Sequence, residues 1–158
     1  MDDLVQLNRS IAKHWLGSLS ADQEEYLRYV SVCLAQLIPD AAELTGVLAC
    51  ARQEHLNSLS VAKLNRQYLR FARLAAKDVA AGKIEMLIRL GVTLEQAEIL
   101  GALTNRALNR LAFGWDGAIV RFAGSAFQRG VALHGRAGRH HATAFVAIRL
   151  PKPIGPRS

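Results

Sequence analysis

The chain has 158 residues, 51% hydrophobic and 21% charged, with a formal net charge of +7. That length fits one domain or a domain with an appendage, and so much apolar content can build a core, which excludes a chain disordered throughout. No apolar run reaches the roughly 18 residues of a membrane span, and the Met1-Asp2-Asp3 start is acidic where a secretion signal is basic, so the chain reads as cytoplasmic and free of membrane.

The charge is unevenly placed. Residues 1–55 hold eight acids against four bases, net −4, whereas residues 56–158 hold five acids against sixteen bases, net +11, and no acid follows Asp116. A polyanionic partner such as nucleic acid accounts for this, because Lys and Arg that neutralise phosphates release condensed counterions. A basic solubilising surface accounts for it equally. Cys33 and Cys50 are too few for a disulfide framework or a four-ligand zinc site and read as buried thiols at apolar helix positions.

The first third predicts three short helices. Leu4, Leu7, Ile11 and Trp15 make one stripe behind Asp2 or Asp3, with Gly17 as a left-handed stop. Ser20 and Gln23 have capping-box spacing, and Tyr26, Val30, Cys33 and Leu37 line one face until Ile38-Pro39. Asp40 with Glu43 repeats the device ahead of Leu44, Leu48 and Ala51. These stripes belong to a helical hairpin packed on the rest or to a dimer-making appendage.

A longer helix is expected from about Ser60 to Ala81, with Val61, Leu64, Tyr68, Phe71, Ala75 and Val79 inward. Lys63, Arg66, Arg70, Arg73 and Lys77 fall on the opposite side, either as a solvated face or as a surface that follows a phosphate backbone or an acidic partner. Ile84, Leu87 and Ile88 form a short apolar face that stops at Gly91. Thr93 and Gln96 make a second capping box for a helix with Leu94, Ala97, Leu100 and Leu103 inward. Thr104 or Asn105 then caps a helix that buries Leu108, Leu111 and Ala112 and points Arg106 and Arg110 outward. Short helices joined by tight turns outline a helix-turn-helix-like segment.

After Gly114-Trp115-Asp116-Gly117, Ala118 to Phe122 has the composition of one short strand. A lone strand leaves its backbone unpaired, and the simplest partner is a second copy of the chain. Glycines at 124, 130, 135 and 138 mark a loose basic segment. A helix is compatible with His140 to Leu150, and the tail from Pro151 reads as frayed. His134, His140 and His141 have no nearby carboxylate or thiol to complete a metal site or proton relay, so they read as surface or interface residues. No phosphate-binding glycine loop or nucleophile motif occurs, and no catalytic residue, cofactor or metal is assigned.

Leu64-Asn65-x-x-Tyr68-Leu69-x-x-Ala72, Asp78, Arg89-Leu90-Gly91-Val92, Glu95, Ala97, Leu100, Ala102-Leu103-Thr104, Leu111-Ala112 and Phe122 together resemble the FlhD family, subunits of the bacterial flagellar master activator. The likeness runs over residues 60–122, with short insertions near Ala80 to Lys83 and Trp115, and more weakly over 141–150. It implies a mainly α, small multi-helix fold that dimerises through its helices and a short strand, with Tyr68, Phe71, Ile119, Val120 and Phe122 at the dimer interface. It divides the chain into an acidic helical extension (1–57), an FlhD-like domain (58–150) and a flexible basic tail (151–158). The family's Phe-Arg pair implicated in DNA binding falls on Ile88 and Arg89, and Lys83, Arg106 and Arg110 are assigned beside it as basic helpers. Its partner-contacting surface falls on His141, Ala144 and Val146. A strand disulfide found in some members is not implied, because its position is Val120 here.

The function so implied is a non-enzymatic transcriptional activator subunit for flagellum biogenesis. It would act as a homodimer in a heterohexamer with FlhC, which supplies the zinc, on promoter DNA and with RNA polymerase. The alternative is a dimeric adaptor that organises FlhC or another regulator without touching DNA.

Overall fold

The computed structural model describes residues 2–50 and 56–137. Among these the protein is mainly helical: eight α-helices and one short two-stranded sheet. In chain order they are α1 (Asp2–Leu16), α2 (Ala21–Leu27), β1 (Ala35–Leu37), α3 (Ala41–Ala49), α4 (Leu59–Asp78), α5 (Glu85–Leu90), α6 (Leu94–Gly101), α7 (Asn105–Gly114), β2 (Val120–Phe122) and α8 (Gly124–Ala137). None of the helices described is long and apolar enough to cross a membrane. The described residues form two compact units, one built from residues 2–34 and 122–137, the other from residues between 35 and 121.

The first unit is made by α1, α2 and α8. Asp2 and Asp3 sit in the first turn of α1, where the helix dipole favours acids, and Gly17 at φ +78° ends it. Leu4, Leu7 and Ile11 are buried as expected, but Trp15 is 39% exposed and lies against Phe122 instead of entering the core. Ser20 and Gln23 form the expected capping box of α2. That helix stops at Leu27, and the expected continuation to Leu37 is replaced by turns and a strand. Other partners take the segment's backbone. Asn8 donates to the Val32 carbonyl at 2.9 Å and accepts from the Leu34 amide at 2.8 Å.

The glycine-rich segment expected to be loose is helix α8. Phe127, Gly130 and His134 recur at helical spacing and are buried. Tyr26, Leu27, Val30, Leu34 and Ala12 join Phe127 in one core. Gly130 is needed there because an added Cβ would overlap the Tyr26 hydroxyl and ring.

The second unit is centred on α4, which packs against α5, α6 and α7, while α3 covers α6 and α7. Ser58 caps α4, accepting from the Val61 amide. The buried face consists of Ala62, Leu64, Asn65, Tyr68, Leu69, Ala72, Ala75 and Ala76. At 100° per residue its centre is turned by roughly 55° from the expected stripe, which leaves Val61, Phe71 and Val79 only half-buried. The alanines are buried because helices come close: a Cβ on Gly101 of α6 would lie 3.4 Å from the Ala76 Cβ.

The expected lone strand has its partner in the same chain. β1 pairs with β2, and the flanking bonds from Ile38 N to Ile119 O (2.9 Å) and from Ala123 N to Leu34 O (2.8 Å) make the pair antiparallel. No second copy is required to satisfy β2. Cys33 is buried as expected but lies between α2 and β1 and not in a helix, and Cys50 is exposed at the end of α3.

Candidate nucleic-acid interface

The corner at Arg89 follows from local chemistry. Gly82 (φ +78°) ends the 3-10 turn Val79–Ala81 that follows α4. Gly91 (φ +68°) ends α5, its amide turned back to the carbonyls of Leu87 and Ile88. Both are left-handed positions that suit glycine. Thr93 accepts from the Gln96 amide at 3.1 Å and Gln96 Oε1 accepts from the Thr93 amide at 2.9 Å, so α6 starts in the expected capping box. The Gln96 amide group also donates to the Pro39 carbonyl at 2.8 Å, which fixes the start of α6 beside the entry to α3. Residues 91–93 and 102–104 then connect α5 to α6 and α6 to α7 in two equally short turns.

This geometry sorts the assigned DNA-contact residues. Ile88 is 69% exposed, and Ile84 is exposed too, because Leu87 and Leu90 take the buried positions of α5 that Ile84, Leu87 and Ile88 were expected to fill. Leu94, expected inward, is likewise exposed. Arg89 is in the last turn, partly exposed, and its Nη2 is paired with Glu85 one turn earlier. Lys83 is exposed just before α5, and Arg106 is exposed in the first turn of α7. Arg110 is half-buried and donates to the Cys50 carbonyl at 2.8 Å instead of pointing freely outward. Helices α5 and α7 each pack on α4 and not extensively on each other. Ile88 and Arg89 are therefore neighbours in the last turn of α5, Lys83 stands exposed ahead of the same helix, and Arg106 belongs to a different one.

The assigned dimer positions are divided as well. Tyr68, Ile119 and Val120 are fully or almost fully buried in the single chain, whereas Phe71 and Phe122 are half-buried. The buried three belong to the chain's own core and offer no surface to a second copy. His141, Ala144 and Val146 lie outside the described residues, as do His140, the expected helix to Leu150 and the tail.

His134 is not a surface residue. It is buried, with its ring centroid 5.9 Å from that of Tyr26 and 5.1 Å from that of Tyr29. Neither His134 Nδ1 nor the Tyr26 hydroxyl has a hydrogen-bond partner among the described residues. Burial pushes the Tyr26 phenol up to about 12. No group of three or more His, Cys, Asp or Glu suited to a metal occurs among the described residues.

No family model, curated protein or solved structure matches this chain. The likeness to the FlhD family therefore rests on its motif residues. Of these, Asn65 has a plain structural role: it donates to the carbonyls of Ala112 (3.1 Å) and Gly117 (3.0 Å) and accepts from the Ile119 amide (2.8 Å). Asn57 assists by accepting from the Gly117 amide at 2.7 Å and donating to the carbonyls of Ala112 and Trp115. Asn8, Asn65 and Gln96 were not singled out as anchors by sequence reasoning. The available signal was a polar amide set among buried apolar positions.

A mainly apolar groove of about 470 Å³ lies among α3, α6 and α7, walled by Leu48, Ile99, Leu103 and Ala107, with Glu98 and Arg110 as its charged lining.

Proposed function

We propose that this chain is a transcriptional activator subunit of the FlhD type. It acts as a homodimer with a zinc-bearing FlhC-like partner, in a heterohexamer on promoter DNA upstream of flagellar operons, and promotes transcription by RNA polymerase. The observation that supports this reading best is the α5 corner, where the Arg-Leu-Gly motif ends a helix with Arg89 next to an exposed Ile88 and with Lys83 exposed ahead of the same helix. An arginine in that position suits bidentate contact with phosphate or a guanine edge. Its pairing with Glu85 is no obstacle, because the glutamate is 78% exposed and such surface pairs contribute only about 0–1 kcal/mol.

Arg89→Ala should weaken binding to a promoter duplex while leaving the helical content unchanged. Glu85→Gln, which removes both the competing partner and a negative charge, should tighten binding by up to about fivefold. Unchanged affinity for both variants across a salt series would remove this corner from the site.

The adaptor alternative draws on the apolar groove and on the exposed Ile84, Ile88 and Leu94. Footprinting with and without the partner separates the two readings. An adaptor adds no protected phosphates of its own.

A further inference from the structure

Helix α4 carries Lys63, Arg66, Arg70, Arg73 and Lys77 in an unbroken series of i,i+3 and i,i+4 steps, and its single acid is Asp78 at the last position. Each step sets like charges side by side, an arrangement that weakens a helix unless an anion lies against it. The structure divides the five bases into two sets. Arg66 stands over the Phe113 ring at 5.7 Å, and Arg73 donates to the Leu103 carbonyl at 3.2 Å, so both are drawn toward the body of the unit. Lys63, Arg70 and Lys77 are exposed, and none has an ion-pair partner among the described residues.

These three are spaced by seven residues. At 3.6 residues per turn and 1.5 Å per residue they lie within about 40° of one another, in a row roughly 21 Å long with charges about 10.5 Å apart. The row stands on the helix that packs against α5, α6 and α7, so it is held straight by the unit's own core. Leu59 and Leu74 are exposed on the same side, at the start of the helix and between Arg70 and Lys77. The turns from Lys63 to Arg70 carry no apolar anchor. An amphipathic protein segment needs such an anchor near the middle of its contact. A phosphate backbone asks only for spaced positive charge.

We propose that Lys63, Arg70 and Lys77 form a contact for the phosphate backbone of duplex DNA, separate from the α5 corner. This rests on the reading of the chain as a DNA-associated subunit and gives that subunit a second, sequence-independent hold. Each cation that neutralises one phosphate contributes about 0.9 to the slope of log affinity against log salt concentration, so the row contributes about 2.7.

The test measures fluorescence anisotropy of a labelled duplex with the full chain across a salt series. The wild type is compared with the Lys63→Gln/Arg70→Gln/Lys77→Gln triple variant, with Arg70→Gln alone and with Arg89→Ala. The expected result is a slope shallower by about 2.7 for the triple variant and by about 0.9 for Arg70→Gln, with circular dichroism unchanged. Should the triple variant fail to fold, the single variant carries the same prediction. A full slope in the row variants with a reduced one in Arg89→Ala overturns the row and leaves the corner standing. No duplex binding by the wild type overturns both. Loss of binding to polyglutamate in the row variants, with duplex binding intact, assigns the row to an acidic protein instead.

Discussion

Asn65 Oδ1 accepts the backbone amide of Ile119 at 2.8 Å, and the same side chain donates to the carbonyls of Ala112 in the last turn of α7 and of Gly117 in the connection to β2. One buried amide on α4 thus reaches three backbone groups at the end of α7 and after it, sharing the Ala112 carbonyl with Asn57. Asn65→Ala strands the Gly117 carbonyl and the Ile119 amide, while Asn57 still reaches the Ala112 carbonyl, and should cost about 2–3 kcal/mol, read as a lower denaturant midpoint. Asn65→Asp keeps the acceptor but turns a carboxylate toward two carbonyls, so it should be no better than alanine at neutral pH. A midpoint unchanged in both variants would show that the turn is held by Asn57 alone.

Gly130 and Gly135 share helix α8 but should respond oppositely to alanine. A Cβ at Gly130 overlaps the buried Tyr26 ring, whereas nothing lies within 4 Å of one at Gly135. Gly130→Ala should destabilise the first unit by about 1–3 kcal/mol, the usual cost of overpacking. Gly135→Ala should stabilise it by about 0.5–1 kcal/mol through helix propensity. Thermal melts of the two variants check this, and the same sign for both would refute the packing described.

The Tyr26 phenol gives the first unit an alkaline limit. Its folded value lies near 12 against an ordinary 10.0. Below 10 both states hold the proton; between 10 and 12 the unfolded chain releases it while the folded chain keeps it, so stability falls as pH rises through that window. Because the hydroxyl has no partner among the described residues, Tyr26→Phe should cost little or even stabilise near neutrality. Urea midpoints at about pH 8 and about pH 11 should fall less in Tyr26→Phe than in the wild type. Equal falls would show that Tyr26 does not supply the limit.

What could be read from the sequence was local. Ser20, Asp40, Thr93 and Thr104 each cap a helix through an amide three residues on, and Gly17 and Gly91 each take the left-handed turn. Spacing alone reveals such devices. β1 could not be read in this way, since Ala35–Leu37 is a strand only because β2 lies beside it. Helix α8 looked loose because glycine weakens a helix in isolation, while Gly130 serves contact with Tyr26 from a distant segment. On α4 the large apolar residues were counted and, Ala75 apart, the alanines were not, yet Ala62, Ala72 and Ala76 are what close helix packing buries. Among the assigned contact residues, the place of Arg89 in the last turn before a glycine stop was legible, whereas Ile88, counted in the apolar face of the helix, stands exposed because Leu87 and Leu90 take the buried positions. The turn of Arg110 toward Cys50 was not, since it depends on where α3 ends.

Residues 2–34 and 122–137 make one unit between them, with 35–121 forming the other in the interval. During translation the inner unit therefore has all its residues before the outer one can close. The segment made first is finished last, and α1 and α2 wait for α8 with Tyr26 and Leu27 uncovered. A fragment cut at residues 58–150 would sever both units, removing α3 from one and α1 and α2 from the other. Residues 35–121 are the piece whose ends coincide with a boundary the chain itself draws.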